Sequence, residues 1–239
     1  MTKKATNDGR SAGGVARRLS RDGLAQASEG TVRPSYDPAG ISAGVVHFGP
    51  GVFFRAHVAW YFDLMLAADP GWGVAAVSMR SGVLADALAG QDRLYTLLEL
   101  VEPPRVRVIG ALTDYLVAED NPEAVLARLV SPQTRAVTMT VTEKGYCLDA
   151  SGALDAAHPD IVHDIAATGP LRSVIGWIAE GLKRRLDAGL APLAVISCDN
   201  VAGNGAKLRR AVAAFATARG YGALAEHGMR DGLVPSTMV

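Results

Sequence analysis

The first sustained run of apolar positions, Val45-Val46-His47-Phe48, is continuous rather than alternating, and it stops at Gly49-Pro50-Gly51. A short continuous run of this kind marks a strand covered on both faces. An apolar segment with helical spacing follows, as far as Ala68. The same switch recurs down the chain. Trp72–Met79 is predicted as a second strand with Arg80-Ser81-Gly82 as its turn, and Arg135–Thr142 and Leu193–Cys198 as further buried strands. Asn121-Pro122-Glu123 combines a cap, a proline at the first helical position and an acid in the first turn, so a helix is predicted from there to about Val130. His158-Pro159-Asp160 opens a short helix. Pro170–Ala188 reads as a long amphipathic helix with Val174, Ile178, Leu182 and Leu186 on one face, its Lys183-Arg184-Arg185 run being solvated. Gly205–Arg219 and Tyr221–Asp231 are the last predicted helices. Tyr95–Val101 and Val106–Leu112 are β-like and read as an antiparallel insertion, and Leu148–Leu154 as a hairpin or loop around Ser151-Gly152. The expected class is α/β: a mostly parallel, doubly wound sheet with helices on both faces and a small antiparallel insertion near residues 92–112.

Composition narrows this little further. A chain of 239 residues with 49% hydrophobic positions can bury one good core. Its 24 basic and 24 acidic residues cancel, which gives no general pull on nucleic acid or anionic membranes. No apolar run is long enough to span a bilayer. Residues 1–30 carry Lys3, Lys4, Arg10, Arg17, Arg18 and Arg21 with poor apolar periodicity, so a mobile basic tail is expected there, with a short helix near Ala16–Ala25. Asp8 and Asp22 interrupt its basic run and argue against a targeting peptide. The folded domain is expected to occupy residues 31–239. Cys147 and Cys198 both lie in or beside apolar runs, and two free thiols in a reducing cytoplasm is the simplest reading.

The candidate chemistry lies at strand ends. Gly49-x-Gly51 falls between a strand and a helix N-terminus, where backbone N–H groups and the helix dipole favour a pyrophosphate. Phe54 stands where a third glycine is usual, so on spacing alone this is an ordinary strand–turn–helix corner. The turn after the second strand faces the adenosine ribose in a dinucleotide fold, and an acid there would repel a 2′-phosphate. Here it reads Arg80, Ser81, Gly82, Val83, with no carboxylate, so NAD and NADP both remain open. Arg80 is either an exposed turn residue or a contact near the adenosine. Glu143 and Lys144 follow a strand's end and could equally be a solvated pair. Asn200 ends another strand; on spacing alone it caps the helix beginning near Asn204 or holds the loop, although a side-chain amide can also donate to a carbonyl oxygen as charge develops there. No histidine or cysteine has metal-ligand spacing, and no metal site is expected.

Several of these segments resemble one family in order. Gly49-x-Gly51-x-Phe53-x-Arg55-Ala56-His57 is similar to the opening of the mannitol dehydrogenase family of long-chain polyol and sugar-acid dehydrogenases. Asp92-Arg93-Leu94-Tyr95-Thr96-Leu97, Thr140-Val141-Thr142-Glu143-Lys144-Gly145-Tyr146, Ser197-Cys198-Asp199-Asn200 with Asn204-Gly205, and Pro235-Ser236-Thr237-Met238-Val239 match in sequence. The resemblance implies a Rossmann-like cofactor domain and NAD(P)-dependent interconversion of a polyol or sugar acid with its ketose or keto-acid, of the mannitol/fructose or mannonate/fructuronate type. It places Phe48, Gly49, Gly51 and Phe53 at the pyrophosphate, Arg80 near the adenosine, and Thr142, Glu143 and Lys144 on the nicotinamide side. It reverses the reading of Asn200, making it the donor to the substrate oxygen. The family's base is a lysine in a Lys-x-x-x-x-Asn-x-x-His motif of a helical C-terminal substrate domain. No lysine here has asparagine five residues on, so that domain is expected to be absent and the chain by itself inactive. The alternative is a nucleotide-binding module without turnover of its own that needs a partner chain.

Overall fold

The computed structural model describes residues 18–227 and 233–238. Five strands form one parallel sheet: β1 (Ala43–Phe48), β2 (Gly73–Ser78), β5 (Leu112–Val117), β6 (Ala136–Met139) and β7 (Ala194–Ser197), in the order β5-β2-β1-β6-β7. All six residues of β1 are buried, as a central strand covered on both faces requires. Its register aligns Phe48 with Val77 of β2 on one side and with Met139 of β6 on the other.

Alternate side chains of the sheet feed two separate cores. Val46, Phe48, Val77, Met139 and Val195 pack with α3 (Pro122–Val130), α5 (Val174–Asp187) and α6 (Asn204–Ala218). Val45, Val74, Ala76 and Leu112 pack on the opposite face with Phe54, Val58 and Leu66 around α1 (Ala59–Met65) and with Leu88 of α2 (Val83–Ala89). The doubly wound α/β arrangement follows from this parity. Trp177, at 0% exposure, anchors α5; burying a side chain of that size contributes about 2–3 kcal/mol.

The insertion is an antiparallel ribbon of β3 (Tyr95–Glu99) and β4 (Arg105–Ile109), with Tyr95 opposite Ile109. It is pinned to α1 through the buried Asp63, which accepts hydrogen bonds from Tyr36 (2.5 Å) and the Gly110 N–H (2.8 Å). Val32 exchanges backbone bonds with Val106 and Val108, both 2.8 Å, so the segment leading into β1 lies along this ribbon. Of the basic segment, residues 1–17 lie outside the described residues. The short helix expected near Ala16–Ala25 appears in its described part only as a 3-10 turn at Leu24–Gln26.

Three elements differ from the pattern reading. Leu112–Val117 is a separate parallel edge strand rather than the tail of the ribbon, and its polar Asp114 bonds Arg128 on α3 at 2.9 Å. The helix α2 was not anticipated after the turn at Arg80. The long helix starts at Val174, not Pro170, because Ser173 caps it: the Ser173 Oγ accepts the Gly176 N–H (2.9 Å) while buried Asp164 takes the N–H groups of Arg172 and Ser173 (2.8 Å each). The remaining helices, α4 (Pro159–Ala166) and α7 (Gly222–His227), fall where expected, and residues 228–231 of the last predicted helix are outside the description.

Candidate cofactor cleft

The strand order reverses at β1. The chain leaves β1 toward β2 and β5, then returns to lay β6 on the other side. Ligands of open α/β sheets bind outside the carboxyl ends of the strands at such a point. A cleft of about 620 Å³ lies there, lined by Gly49 after β1, by Ser78, Met79, Arg80 and Ser81 after β2, and by Val141, Thr142 and Lys144 after β6. Its far wall is made by Cys147, by His158 and Asp160 at the start of α4, and by Arg172 and Ser173 at the start of α5.

Gly49 sits at φ +83°, and a Cβ there would stand 2.3 Å from the Thr140 carbonyl oxygen. Only glycine brings the β1 and β6 ends this close. The Thr140 hydroxyl donates to the Gly49 carbonyl at 2.6 Å, and the Gly49 N–H reaches the Val77 carbonyl at 3.0 Å. Gly51 is different: a Cβ on it would meet only the Gly49 oxygen, at 3.8 Å, and would otherwise occupy open space. An exposed backbone with a vacant side-chain position, directly before a helix, fits the approach of a pyrophosphate. The helix after it opens with a π-turn at Phe54–Val58, and Arg55 folds back to donate to the Pro50 carbonyl at 2.7 Å.

Beneath the turn lies His47, fully buried, stacked on Phe54 with ring centroids 3.8 Å apart and bonded to the hydroxyls of Thr138 (2.8 Å) and Thr140 (3.0 Å). Burial pushes its pKa down to about 3, so it is neutral and holds the floor of the turn. Cys147 lines the cleft as a thiol, since burial raises it to about 11.

The sequence-derived candidates separate. Gly49, Arg80, Thr142 and Lys144 line the cleft. Phe48 puts its ring into the core and its carbonyl on the Thr140 N–H (2.9 Å), and so offers no side-chain contact to a ligand. Gly51 and Phe53 are exposed beside the cleft, Phe53 stacked on His57 with centroids 4.9 Å apart. Glu143 and Asn200 are exposed and outside the cleft lining. Asn200 does not cap α6, whose N-cap is Gly203 in the left-handed region. Pattern reading missed Asp160, which pairs with Arg80 at 2.9 Å, and Arg172. It also missed Asp199, whose carboxylate takes the N–H groups of Val141 and Thr142 (3.2 Å each) and the Tyr146 hydroxyl (2.9 Å). The signals were present as a helix start at His158-Pro159-Asp160 and an arginine preceding a capping serine.

Residues 43–229 match the family model described as the mannitol dehydrogenase Rossmann domain. The chain belongs to the mannitol dehydrogenase family. A solved structure of Pseudomonas fluorescens mannitol 2-dehydrogenase, a ternary complex with NAD and D-mannitol, superposes with a TM-score of 0.81 at 39% identity, covering 86% of this chain and 43% of that one. The polyol:NADP oxidoreductase of Gluconobacter oxydans is 40% identical over 84% of this chain and 43% of its own length. The D-mannonate oxidoreductase of Escherichia coli K12 is 41% identical over 78% of this chain and 40% of its own. The chain therefore spans about two fifths of the length of the curated relatives it matches.

Within this mannitol dehydrogenase family domain, no group of three or more His, Cys, Asp or Glu could hold a metal ion among the described residues. Nor is any described helix long and apolar enough to cross a membrane.

Proposed function

We propose that this chain is the nicotinamide-dinucleotide-binding part of an enzyme that reversibly oxidises a secondary alcohol of a polyol or sugar acid to the ketose or keto-acid. One observation carries the reading. The cleft at the point of strand reversal is bordered by the open Gly51 backbone and presents three cations, Arg80, Lys144 and Arg172, against one carboxylate, Asp160. That excess of positive charge suits an anionic dinucleotide in general, its pyrophosphate being taken by the glycine turn and the helix N-terminus. Gly49 and Gly51 would hold the pyrophosphate, with Phe48 fixing the turn from below and Phe53 bordering it. Arg80 would lie at the adenosine end, and Thr142, Glu143 and Lys144 toward the nicotinamide. When bound, NAD or NADP supplies the hydride acceptor. Asn200 would donate its amide to the substrate oxygen, while its neighbour Asp199 positions the loop after β6 that carries Thr142, Glu143 and Lys144.

The folded domain is taken as residues 31–239, behind a basic tail over residues 1–30. Substrate recognition and the proton-accepting lysine belong, in this proposal, to a helical domain not contained in these residues. The aromatic face beside Gly51, formed by Phe53, His57 and Tyr61 in successive ring contacts of 4.9 and 5.1 Å, is where that domain would close. Free Cys147 and Cys198 suit a reducing cytoplasm. A second reading, a binding module that works only with a partner chain, is favoured by the absence of any lysine with asparagine five residues on.

Calorimetric titration of the chain with NADH and NADPH tests the proposal. Saturable binding of at least one, lost in Gly51→Val, supports it; no binding of either would reject it.

A further inference from the structure

The 620 Å³ cleft adjoins a second hollow of about 400 Å³, and Met79, Arg80, Asp160 and Arg172 line both. These side chains form the ridge between the two spaces, at the end of β2, where a dinucleotide's adenosine ribose is placed. Arg80 is 66% exposed at its side chain and reaches Asp160 at 2.9 Å. Arg172 comes from a different element, one residue before the cap of α5. It is exposed, and its guanidinium makes no hydrogen bond or ion pair among the described residues. Glu119, exposed on the wall of the second hollow, and buried Asp164, which holds the Arg172 N–H at 2.8 Å, are the other carboxylates nearby. The turn itself, Ser81-Gly82-Val83, has no acid to repel a phosphate, and a Cβ at Gly82 would come only within 3.8 Å of Val117.

We propose that Arg80 and Arg172 together form a phosphomonoester subsite that reads the 2′-phosphate of NADP, with Asp160 as its internal competitor. This rests on the cofactor reading above and deepens it. With the pyrophosphate assigned to the glycine turn, the exposed Arg172 guanidinium, without a protein partner among the described residues, is available to a second anion. Guanidinium forks match phosphate oxygens in pairs, and a dianion between two of them gains more than the single carboxylate that Arg80 now holds. A solvent-exposed pair such as Arg80–Asp160 is weak enough for a phosphate to displace. Asp160 holds the Arg80 guanidinium at 2.9 Å. A 2′-phosphate would take it over, and Asp160 then opposes binding by repulsion.

The test uses the whole 239-residue chain, titrated with NADPH and NADH, with thermal melting to verify the fold. Wild type should bind NADPH at least as tightly as NADH. Arg172→Ala should weaken NADPH tenfold or more and NADH less than twofold, and Arg172→Lys should fall between. Asp160→Asn should tighten NADPH severalfold and leave NADH unchanged. Arg172 is exposed with no side-chain bond to lose, so its variants should fold. Equal weakening of both cofactors in Arg172→Ala, or binding of NADH with NADPH excluded, would overturn the subsite while leaving the dinucleotide reading intact. Binding of neither by wild type would end both.

Discussion

The Asp199 carboxylate at the end of β7 holds the backbone N–H of Thr142 at the end of β6, at 3.2 Å. Thr142 stands at φ +64° and ψ 166°, a region that β-branched residues rarely enter. Such a conformation costs of order 1–3 kcal/mol and persists only where its surroundings impose it. Asp199 imposes it with three bonds, since it also takes the Val141 N–H and the Tyr146 hydroxyl. The loop that borders the cleft is thereby set by a residue of the neighbouring strand.

Removing that tie should be costly. Asp199→Ala is expected to destabilise the domain by about 2–3 kcal/mol, the scale for losing hydrogen bonds to a charged acceptor and leaving partners unmet. Urea unfolding followed by circular dichroism measures it. A change below ~0.5 kcal/mol would mean that Thr142 holds its conformation without Asp199.

The two glycines of the first turn should fail in different ways. Gly49→Ala places a methyl group 2.3 Å from the Thr140 oxygen at φ +83°, so it should unfold or strongly destabilise the chain, by more than about 2 kcal/mol. At Gly51 an added Cβ has only the Gly49 oxygen within 4 Å, at 3.8 Å, so Gly51→Val should keep its melting temperature while losing dinucleotide binding. Comparing melting and calorimetry on both variants separates fold from site. Equal loss of stability in the two would remove the distinction drawn between them.

Much of this was legible in the chain itself, because parallel strands buried on both faces write themselves as short apolar runs such as Val45–Phe48 or as runs that alternate β-branched residues such as Arg135–Thr142. Leu112–Val117 was not legible as a strand of the main sheet. Its Asp114 and Thr113 are edge-strand residues, and they break the apolar signature that the central strands carry. The cleft was legible only in part. Gly49 and Arg80 announce themselves by spacing, whereas Asp160 acts through Arg80, 80 positions away, Asp199 through Val141, 58 positions away, and the Arg172 side chain through no bond among the described residues, and no local pattern encodes that. His47 looks like any strand histidine until Thr138, 91 residues on, supplies its partner.

His47 should make the fold acid-sensitive. Its folded pKa is about 3 against 6.5 for the ordinary group, so between these values the unfolded chain binds the extra proton. Stability is then fully retained above pH 6.5 and lost as pH falls toward 3, with a slope of up to about 1.4 kcal/mol per unit. His47→Asn should be less stable at pH 7 but show a shallower dependence between pH 6.5 and 5. Identical slopes in the two proteins would place the acid sensitivity elsewhere.

The face beside the glycine turn leaves large apolar side chains in solvent: Tyr61 is 53%, Leu64 45% and Met65 43% exposed, in continuity with Phe53. A contiguous apolar surface on one helix favours association. Sedimentation should show concentration-dependent self-association, weakened at least tenfold, ~1.4 kcal/mol, by Tyr61→Lys with Leu64→Lys. A strictly monomeric wild type would exclude it.

The chain should bind its cofactor without turning over a substrate. Alcohol oxidation needs a group that accepts the hydroxyl proton and a wall that positions the carbon, and among the described residues neither is assembled at this cleft. Cys147 is held protonated by burial at about 11, and the Tyr146 hydroxyl is raised and shared between Ser197 and Asp199. His158 spends its Nδ1 on the Asp160 N–H at 3.2 Å. Lys144 is solvent-exposed on the loop after β6, with no wall to hold a substrate against it. A positioned base contributes on the order of 10²–10⁴ in rate, and orientation of the reacting carbon more. Steady-state assays of the 239-residue chain with mannitol, fructose, mannonate and fructuronate should therefore give no turnover, and activity should appear on adding a chain that carries the lysine motif. Turnover by the chain alone, abolished by Lys144→Ala, would show that the base is already in this cleft and that Lys144, not a second domain, supplies it.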